Sequence, residues 1–237
     1  MSDLEQLLEV QGHDTRADQI RHQRATLPER AALAAAEADL ARIVAAWAPA
    51  DARRQELASE QRRLEDDVAS TRARIANADT ALYSGSTSNP RELQALQDEI
   101  ASLTRRVSLL EDEELAVMEQ LEPVEGDLSA KARERDRLEG EIERLRAAVT
   151  AGEAELDVAL DAEAEQRRVA AEVVPDGLLT EYERIRARSA GVGVARLVAG
   201  QCGGCHLRLS AVELDRIKKQ PVDTVVHCDE CGRLLVR

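Results

Sequence analysis

Apolar residues in the second half of the chain follow a single heptad frame, with alternating steps of three and four residues. The frame runs through Leu93, Leu96, Ile100, Leu103, Val107, Leu110, Val117, Leu121, Val124, Leu128, Leu138, Ile142, Leu145, Val149 and Leu156. The seam positions that break it are Glu114, Lys131, Arg135 and Gly152. A frame kept over this length is typical of a left-handed coiled coil rather than of an amphipathic surface helix.

A matching frame lies upstream, and a polar turn separates the two frames. The upstream positions are Leu33, Ala36, Leu40, Ile43, Trp47, Leu57, Leu64, Val68, Ile75 and Leu82. Reflection about residue 87 maps residues 2–83 onto residues 91–172, which gives two arms of 82 residues each. These equal arms predict an antiparallel helical hairpin within one chain, with its tip near residues 84–89. At about 1.5 Å of rise per residue, each straight arm would be roughly 120 Å long.

Caps and prolines refine this hairpin. Asn89 is suited to cap the second arm, Pro90 to occupy its first helical position, and Glu92 to close a capping box. Pro49 and Pro123 lie off the apolar seam at nearly the same height of the reflected hairpin. Because each proline removes a backbone hydrogen bond, we expect a kink in each arm.

The first residues and the last quarter of the chain follow other patterns. Upstream of Pro28 the apolar frame is out of phase, so residues 1–26 are expected to form a separate helix that packs near the base of the hairpin. Past Pro175 the heptad pattern ends, and we predict short helices and strands instead. Residues 178–188 are expected to form a short helix and residues 209–219 a short helix or turn, and the expected strands are 192–199, 224–227 and 234–236.

The predicted fold class is therefore mainly α. It combines a long, bent, antiparallel coiled-coil hairpin at 1–174 with a small, β-rich C-terminal domain at 175–237. The composition agrees with this division, because the chain has no Phe, one Trp and two Tyr, and 33% of its residues are charged. So few aromatic residues are typical of a thin helical core rather than of a conventional globular core.

Charge is unevenly distributed over a net −14. Residues 1–174 contain 22 basic and 38 acidic side chains, whereas residues 175–237 contain 10 basic and 8 acidic side chains. An acidic arm repels nucleic acid and membrane phosphates, so any contact with a polyanion is expected in the C-terminal part. The sequence contains neither an apolar run of about 20 residues nor a signal-peptide pattern at its start, and a cytoplasmic location is expected.

The chain contains four cysteines, in two Cys-x-x-Cys pairs near its C-terminus: Cys202, Cys205, Cys228 and Cys231. Two such turns can present four thiolates to one ion, which predicts a tetrahedral zinc ribbon with a single structural Zn²⁺. Disulfides are the alternative, although they fit a small secreted scaffold better. His206 and His227 neighbour these cysteines and are interpreted as surface or supporting residues, with replacement of a cysteine ligand as the alternative.

Catalysis is not expected. A four-cysteine site leaves no coordination position for water, and the sequence shows no nucleophile–base pair, phosphate loop or carboxylate cluster that stands out. Two matched pairs also argue against a thioredoxin-like dithiol. The chain is therefore interpreted as a non-enzymatic protein.

Two surfaces are candidates for binding partners. The candidate nucleic-acid contacts are Arg184, Arg186, Arg188, Arg196, Arg208, Arg216, Lys218, Lys219 and Arg233, with Arg237 beside them and Tyr182 on the same helical turn as the first three. Because acids are mixed among them, an ordinary solvated surface is an equal alternative. At the tip, Tyr83, Asn89 and Arg91 could meet a protein partner, and a plain hairpin connection is the alternative.

Three motifs resemble those of the bacterial C4-type zinc ribbon domain proteins, and together they span most of the chain. They are the tip, Leu82-Tyr83-Ser84-Gly85 with Asn89-Pro90-Arg91-Glu92-Leu93-Gln94-Ala95-Leu96; the helical segment Tyr182-Glu183-Arg184-Ile185-Arg186; and the ribbon, Cys202-Gly-Gly-Cys205-His206 with Cys228-Asp-Glu-Cys231-Gly232-Arg233-Leu234-Leu235. The high Arg and Ala content resembles an actinobacterial member.

The resemblance implies a bent coiled-coil hairpin with a zinc ribbon, and the four cysteines as ligands. Members of the family have been proposed to bind nucleic acid and to act as adaptors for transcription, flagellar or secretion components. This chain departs from a strongly basic pattern, because only Lys218 and Lys219 supply lysines in its C-terminal part.

Two main functions follow from these observations. The first is nucleic-acid binding, to DNA or RNA, through the zinc ribbon, while the coiled coil engages proteins. The alternative is a protein–protein adaptor in which the ribbon is purely structural. A third class, a redox-responsive or metal-responsive switch, would release zinc under oxidation. An intramolecular hairpin also predicts a monomer.

Overall fold

The computed structural model describes residues 2–85, 88–221 and 224–237. Ser86 and Thr87 of the predicted tip lie outside the described residues. Five helices and four short strands follow one another along the chain: α1 Asp3–Ala25, α2 Pro28–Tyr83, α3 Pro90–Ala171, α4 Asp176–Arg188, β1 Val194–Val198, β2 Gln201–Cys202, α5 Ala211–Lys219, β3 Val226–His227 and β4 Leu234–Val236. The predicted fold class, a coiled-coil hairpin with a small C-terminal strand region, is confirmed.

Side chains cap the starts of α1 and α3. Ser2 forms a capping box with Glu5 at the start of α1, which satisfies backbone N–H groups that otherwise lack an intrahelical partner. At α3, the Asn89 Oδ1 accepts a hydrogen bond from the Arg91 backbone N–H at 3.0 Å. The side-chain amide of Asn89 donates to the Glu92 carboxylate at 3.3 Å. The predicted capping role of Asn89 is thus confirmed.

The chain divides into two compact units. The terminal unit comprises Met1–Ala32 together with Leu145–Arg237, and the central unit comprises Leu33–Arg144. The boundary that we predict at residue 175 stays a prediction for the start of the ribbon domain. The terminal unit extends beyond that domain, because it also includes α1 and the end of α3.

In the central unit, the apolar seams of α2 and α3 pack together. Leu57, Leu64 and Val68 of α2 are buried with Val107, Leu110, Val117 and Leu121 of α3. Two polar contacts give the direction of pairing. The Arg53 side chain donates a hydrogen bond to Gln120, and the Arg74 side chain donates one to Glu99. A later residue of α2 is thus paired with an earlier residue of α3. The pairing is antiparallel, as the heptad frames predict.

Residues that break the pattern are accommodated locally. The guanidinium of Arg135 lies 6.0 Å from the centre of the Trp47 ring, a distance at which cation–π attraction operates. Pro49 lies inside α2 and Pro123 inside α3, and both helices continue through them. The predicted kinks at these prolines stay predictions.

In the terminal unit, α1 forms a core with α4 and the sheet. Its residues Leu4, Leu7 and Val10 are buried in one cluster with Val174, Tyr182, Ile185, Val194, Leu234 and Val236. The expected separate N-terminal helix is therefore present and packs against the C-terminal elements. Burial of each large apolar side chain stabilises the fold by about 1.5–3 kcal/mol. These contacts make α1 an integral part of this core.

The four strands form one sheet in the order β2-β1-β4-β3. β1 pairs parallel with β4, with Val194 opposite Leu234, while β2 and β3 pair antiparallel with β1 and β4 respectively. The strand predicted at 192–199 is shorter than expected and ends at Val198. Ala199 and Gly200 follow with positive φ angles of 51° and 78°, and this turn returns the chain into β2, a strand that we did not predict.

Candidate metal centre

Two short turns with matching backbone geometry hold the cysteines. In the first turn, the Cys202 N–H donates to the Leu207 carbonyl at 3.0 Å and the His206 N–H donates to the Cys202 carbonyl at 2.8 Å. In the second turn, the Cys228 N–H donates to the Arg233 carbonyl at 2.8 Å and the Gly232 N–H donates to the Cys228 carbonyl at 2.7 Å. The two zinc knuckles, 202–207 and 228–233, are therefore equivalent position by position.

The fifth position of each knuckle requires a left-handed backbone. Gly232 has φ of 70°, and His206, at the matching position, has φ of 60°. His206 is exposed, and the group of metal-competent side chains in the described part of the chain contains the four cysteines without it. His227 lies 3.0 Å from the Glu181 carboxylate through its Nε2. Both histidines therefore have positions consistent with supporting or surface roles.

The four sulfur atoms form a compact group suited to one zinc ion. All four Sγ atoms lie within 4.8 Å of one another, and the Cys202–Cys231 and Cys205–Cys228 pairs are each separated by 3.9 Å. A tetrahedral site with Zn–S bonds of about 2.3 Å has sulfur–sulfur distances of about 3.8 Å. The cysteines are free thiols rather than disulfides. The side chains present thus fit a single structural zinc ion.

Neighbouring groups tune these thiols in opposite directions. Burial raises the pKa of Cys228 to about 12. Burial also raises the pKa of Cys231, but hydrogen bonds from the Arg233 backbone and side chain and from the thiols of Cys228 and Cys205 outweigh it and lower this pKa to about 7. The Gly204 N–H approaches the Cys202 sulfur at 3.4 Å. Arg233 therefore supplies positive charge beside a four-thiolate site, which carries a net negative charge even with Zn²⁺ bound.

The metal centre lies on an apolar core. Cys202 and Cys228 are buried in a cluster with Ala195, Leu209, Ile217, Val226 and Leu235. Zinc bound by the four thiolates would tie both knuckles to β1, β4 and α5, which supply Ala195, Leu235 and Ile217 to this cluster. With four protein ligands the site has no open coordination position, so its chemistry is structural.

Most of the predicted nucleic-acid contacts already have partners within the chain. Arg186 pairs with Asp18 and lies 3.6 Å from Asp14. Arg216 pairs with Glu213 and Asp229, and Lys219 pairs with Asp215.

Two further candidates have polar partners of different strength. Arg184 lies 3.8 Å from Glu181. Arg233 donates to the carbonyls of Val192 and Ser189 at 2.9 and 2.8 Å. Arg237, named beside the nine candidates, donates to the carbonyl of Ile217 near the end of α5.

The other four candidates are Arg188, Arg196, Arg208 and Lys218. They are exposed, and none of them forms an ion pair within residues 2–85, 88–221 and 224–237. Two of them lie against the knuckles. Gly203 donates to the backbone carbonyl of Arg196 at 2.9 Å, and the Arg188 guanidinium lies beside Gly232. Among the described residues, these four are the part of the predicted polyanion surface that is exposed and forms no ion pair within the chain.

The predicted tip residues have different environments. The Tyr83 side chain is 82% exposed, which is unusual for an aromatic residue in a chain with so few. Asn89 is engaged in capping α3. Arg91 is exposed and contributes its backbone N–H to that cap. Tyr83 and Arg91 are thus available to a partner, whereas Asn89 shapes the helix start.

Sequence reasoning missed a buried polar cluster formed by α1, α3, α4 and the residue that precedes β1. The Tyr182 hydroxyl donates to Asp14 at 2.6 Å, Arg167 donates to the other Asp14 oxygen at 2.8 Å, and the Gly193 N–H donates to the Gln11 side chain at 2.6 Å. Asp14 and Gln11 are both buried. The available signal was the spacing of Gln11 and Asp14, which continue the helical face of Leu4 and Leu7 at steps of three and four residues.

Comparison with known proteins gives the same architecture. A family model for the CT398-like coiled-coil hairpin domain matches residues 10–190, and one for the C4-type zinc ribbon domain matches residues 201–235. The chain belongs to the CT398-like coiled-coil hairpin family. The match to both models places the hairpin and the ribbon in the order that the sequence predicts.

Relatives and solved structures cover nearly the whole chain. The uncharacterised protein Rv2229c of Mycobacterium tuberculosis is 30% identical over 231 residues, which cover 98% of this chain and 94% of that protein. A structure from Mycobacterium smegmatis is 27% identical, with a TM-score of 0.84 and full coverage of both chains. CT398 from Chlamydia trachomatis is 18% identical with a TM-score of 0.67, covers 99% of this chain and 97% of its own, and supports the fold alone.

The mycobacterial relatives agree with the actinobacterial character expected from the composition. Among the described residues, no helix is long and apolar enough to cross a membrane.

Proposed function

We propose that this protein is a non-enzymatic adaptor, in which a structural zinc ribbon supports a coiled-coil hairpin that binds other proteins. The single observation that carries the proposal is that five of the nine candidate nucleic-acid contacts are engaged by the chain itself. Cations that already pair with acids or carbonyls contribute less to phosphate binding, because those partners offset their charge.

The surface of the hairpin is partly apolar. Exposed apolar side chains lie off its seam, including Val44, Leu109, Leu115 and Met118. A coiled coil buries its own seam, so apolar side chains outside it are available to a partner. We propose that the protein performs this role as a monomer in the cytoplasm.

A pull-down in nuclease-treated extract tests the adaptor function. The full chain is purified with a photo-crosslinking residue in place of Val44, and the captured proteins are identified by mass spectrometry. We expect specific protein partners that persist after digestion of DNA and RNA. Loss of every captured protein on nuclease treatment would contradict the adaptor function. Light scattering of the same sample is expected to give the mass of one chain.

Nucleic-acid binding is the second candidate function, and the exposed residues Arg188, Arg196, Arg208 and Lys218 favour it. It predicts that labelled RNA or DNA binds at low salt and that binding falls steeply as salt increases. The triple variant Arg196→Gln, Arg208→Gln, Lys218→Gln should then lose most of that binding. An absence of binding at about 50 mM salt would eliminate this candidate, since counterion release strengthens phosphate contacts at low ionic strength.

A further inference from the structure

One segment of α3 in the central unit is exceptionally acidic. Residues 107–130 contain eight acidic side chains and no Lys or Arg. The segment lies within the coiled coil, where its seam residues Val107, Leu110, Val117 and Leu121 are buried against α2. Apart from Glu114, which occupies a seam position, its charges are therefore distributed over the outer faces of the helix pair.

Within this segment, Leu115 and Met118 form a short apolar stripe on an otherwise acidic face beside the seam. Glu111, Leu115, Met118, Glu122 and Glu125 recur at steps of three and four residues, and so they share one face of α3. Leu115 is 57% exposed and Met118 is 43% exposed. Leu115 and Met118 line a groove of about 520 Å³ between α3 and Gln61 of α2. The other residues that line this groove are Glu119, Leu121, Glu122 and Glu125.

The acids around this groove are available to an incoming cation. Glu119, Glu122 and Glu125 form no ion pair with any residue in the described part of the chain. Glu111, one turn before the apolar stripe, differs because it pairs with Arg72. The three unpaired carboxylates give the groove a negative electrostatic potential. The two exposed apolar side chains between them provide an apolar surface that a partner can bury.

The charge identifies the chemistry of the occupant. Nucleic acid and anionic membrane surfaces are repelled by this groove, and a second copy of the chain that docked through the same face would bring the same negative segment towards it. A basic amphipathic helix is complementary in both respects, because its apolar face can cover Leu115 and Met118 while its cations meet the glutamates. Methionine adapts well to helical ligands of different shape.

We propose that the groove lined by Leu115, Met118, Glu119, Glu122 and Glu125 is a docking site for a basic amphipathic helix of a partner protein. The inference rests on the proposed adaptor function and names the chemistry of the partner. Residues 111–125 extend over about 20 Å at 1.5 Å per residue, which corresponds to a partner helix of about 14 residues.

The test measures binding of a fluorescein-labelled peptide by fluorescence anisotropy. The probe is a helical peptide of about 14 residues that places leucines on one face and lysines on the other. A control peptide has the same composition with the leucines dispersed around the helix. Two full-length variants address the groove: Leu115→Ala/Met118→Ala and Glu119→Gln/Glu122→Gln.

Each variant has a matched control elsewhere. Leu109→Ala removes an exposed apolar side chain from another face of α3, and Glu155→Gln/Asp161→Asn removes two exposed charges outside the central unit. We expect each groove variant to weaken binding of the amphipathic peptide by at least about five-fold, and each control variant by less than about two-fold. Circular dichroism checks that every variant keeps its helicity.

Three outcomes would overturn the proposal. Equal losses in groove and control variants would mean nonspecific attraction to the acidic chain. Equal affinity for the amphipathic peptide and the control peptide would mean that Leu115 and Met118 do not contact the apolar face of the ligand. A dimer in sedimentation that Leu115→Ala/Met118→Ala dissociates would make a second copy the occupant.

A different outcome would contradict the adaptor function without contradicting the docking site. If nuclease abolishes every captured protein while the peptide still distinguishes groove from control variants, the groove stands as a peptide site and the adaptor function falls.

Discussion

A buried phenol and a buried carboxylate hold α1 in place at the scale of single residues. Tyr182 is fully buried and donates to Asp14, and Arg167 balances the charge of that carboxylate. Burial and the neighbouring Asp14 both raise the pKa of Tyr182, so the phenol remains a neutral donor at physiological pH. A hydrogen bond to a charged acceptor inside a core contributes more than one at the surface.

Tyr182→Phe should therefore destabilise the terminal unit by about 1–3 kcal/mol, since Asp14 loses a donor in a buried position. The measurement is hydrogen exchange of α1 and α4 amides, followed by mass spectrometry. Tyr83→Phe is the matched control, because the exposed Tyr83 hydroxyl has no such role and its loss should leave exchange unchanged. Unaltered protection of α1 in Tyr182→Phe would show that the apolar contacts alone position this helix.

Glu163 gives α1 a pH-dependent attachment. His13 lies 2.7 Å from one Glu163 oxygen and Arg16 lies 2.9 Å from the other, and these hydrogen bonds lower the pKa of Glu163. A lowered pKa stabilises the fold fully above the unfolded-state value of about 4.3. That contribution disappears as the pH falls through the lower folded-state pKa, because the proton binds the unfolded chain more readily.

Glu163→Gln should accordingly lower the thermal midpoint at pH 7, and the difference from the parent protein should narrow as the pH falls below about 4.3. Melting curves between neutral and acidic pH provide the measurement. The exposed Glu155→Gln serves as the control, with no difference expected at any pH. If the difference in thermal midpoint between Glu163→Gln and the parent protein stayed constant down to pH 3, protonation of Glu163 would not be linked to the stability of the fold.

At the scale of elements, the long helices were predictable and the short strands were less so. The heptad frames of Leu57, Leu64 and Val107 determine the hairpin, because burial of a repeated seam dominates helix pairing. The strands contain two to five residues, and their limits depend on tertiary contacts and on turns with left-handed backbone. Ala199 gave no signal of its positive φ, so the turn into β2 was missed.

The candidate site divides in the same way. Spacing alone predicted the four-cysteine group and the single zinc ion. It did not predict that Arg186 and Arg233 serve internal contacts, because their partners Asp18 and Val192 are far away or belong to the backbone. The role of Asp14 likewise depends on Tyr182, which lies 168 residues further along the chain.

The equivalence of the two knuckles leads to a prediction at His206. Its left-handed backbone costs a residue with a Cβ atom about 1 kcal/mol, whereas the matching position is occupied by Gly232. His206→Gly should keep one zinc per chain and raise the stability of the ribbon by up to about 1 kcal/mol.

Metal analysis and chelator-induced unfolding test this variant together. The reciprocal exchange, Gly232→His, is the control and should destabilise the ribbon. Loss of zinc from His206→Gly would instead identify the histidine as a ligand.

At the scale of the whole molecule, zinc and the N-terminal helix act on the same compact unit. β1 and β4 supply Val194, Leu234 and Val236 to the core that holds α1, and they supply Ala195 and Leu235 to the core beneath the cysteines. The sheet therefore has one face on each apolar cluster. Because the two clusters share their strands, disruption of the metal centre should reach α1, although α1 contains no ligand.

Cys228→Ser tests this coupling across the chain. Removing one thiolate should reduce bound zinc at least ten-fold, because a structural site contributes roughly 10–16 kcal/mol of apparent binding free energy at neutral pH. Hydrogen exchange should then accelerate in α5, in β1 to β4 and in α1, while amides of residues 33–144 keep their protection through the α2–α3 seam. Val212→Ala, at a position of α5 that is 80% exposed and outside the ligand set, controls for substitution near the ribbon. If α1 stayed protected while the sheet exchanged freely, the two clusters would be energetically independent despite their shared strands. If the central unit also lost protection, the seam of the hairpin would depend on zinc, contrary to the stability expected from its own buried heptads.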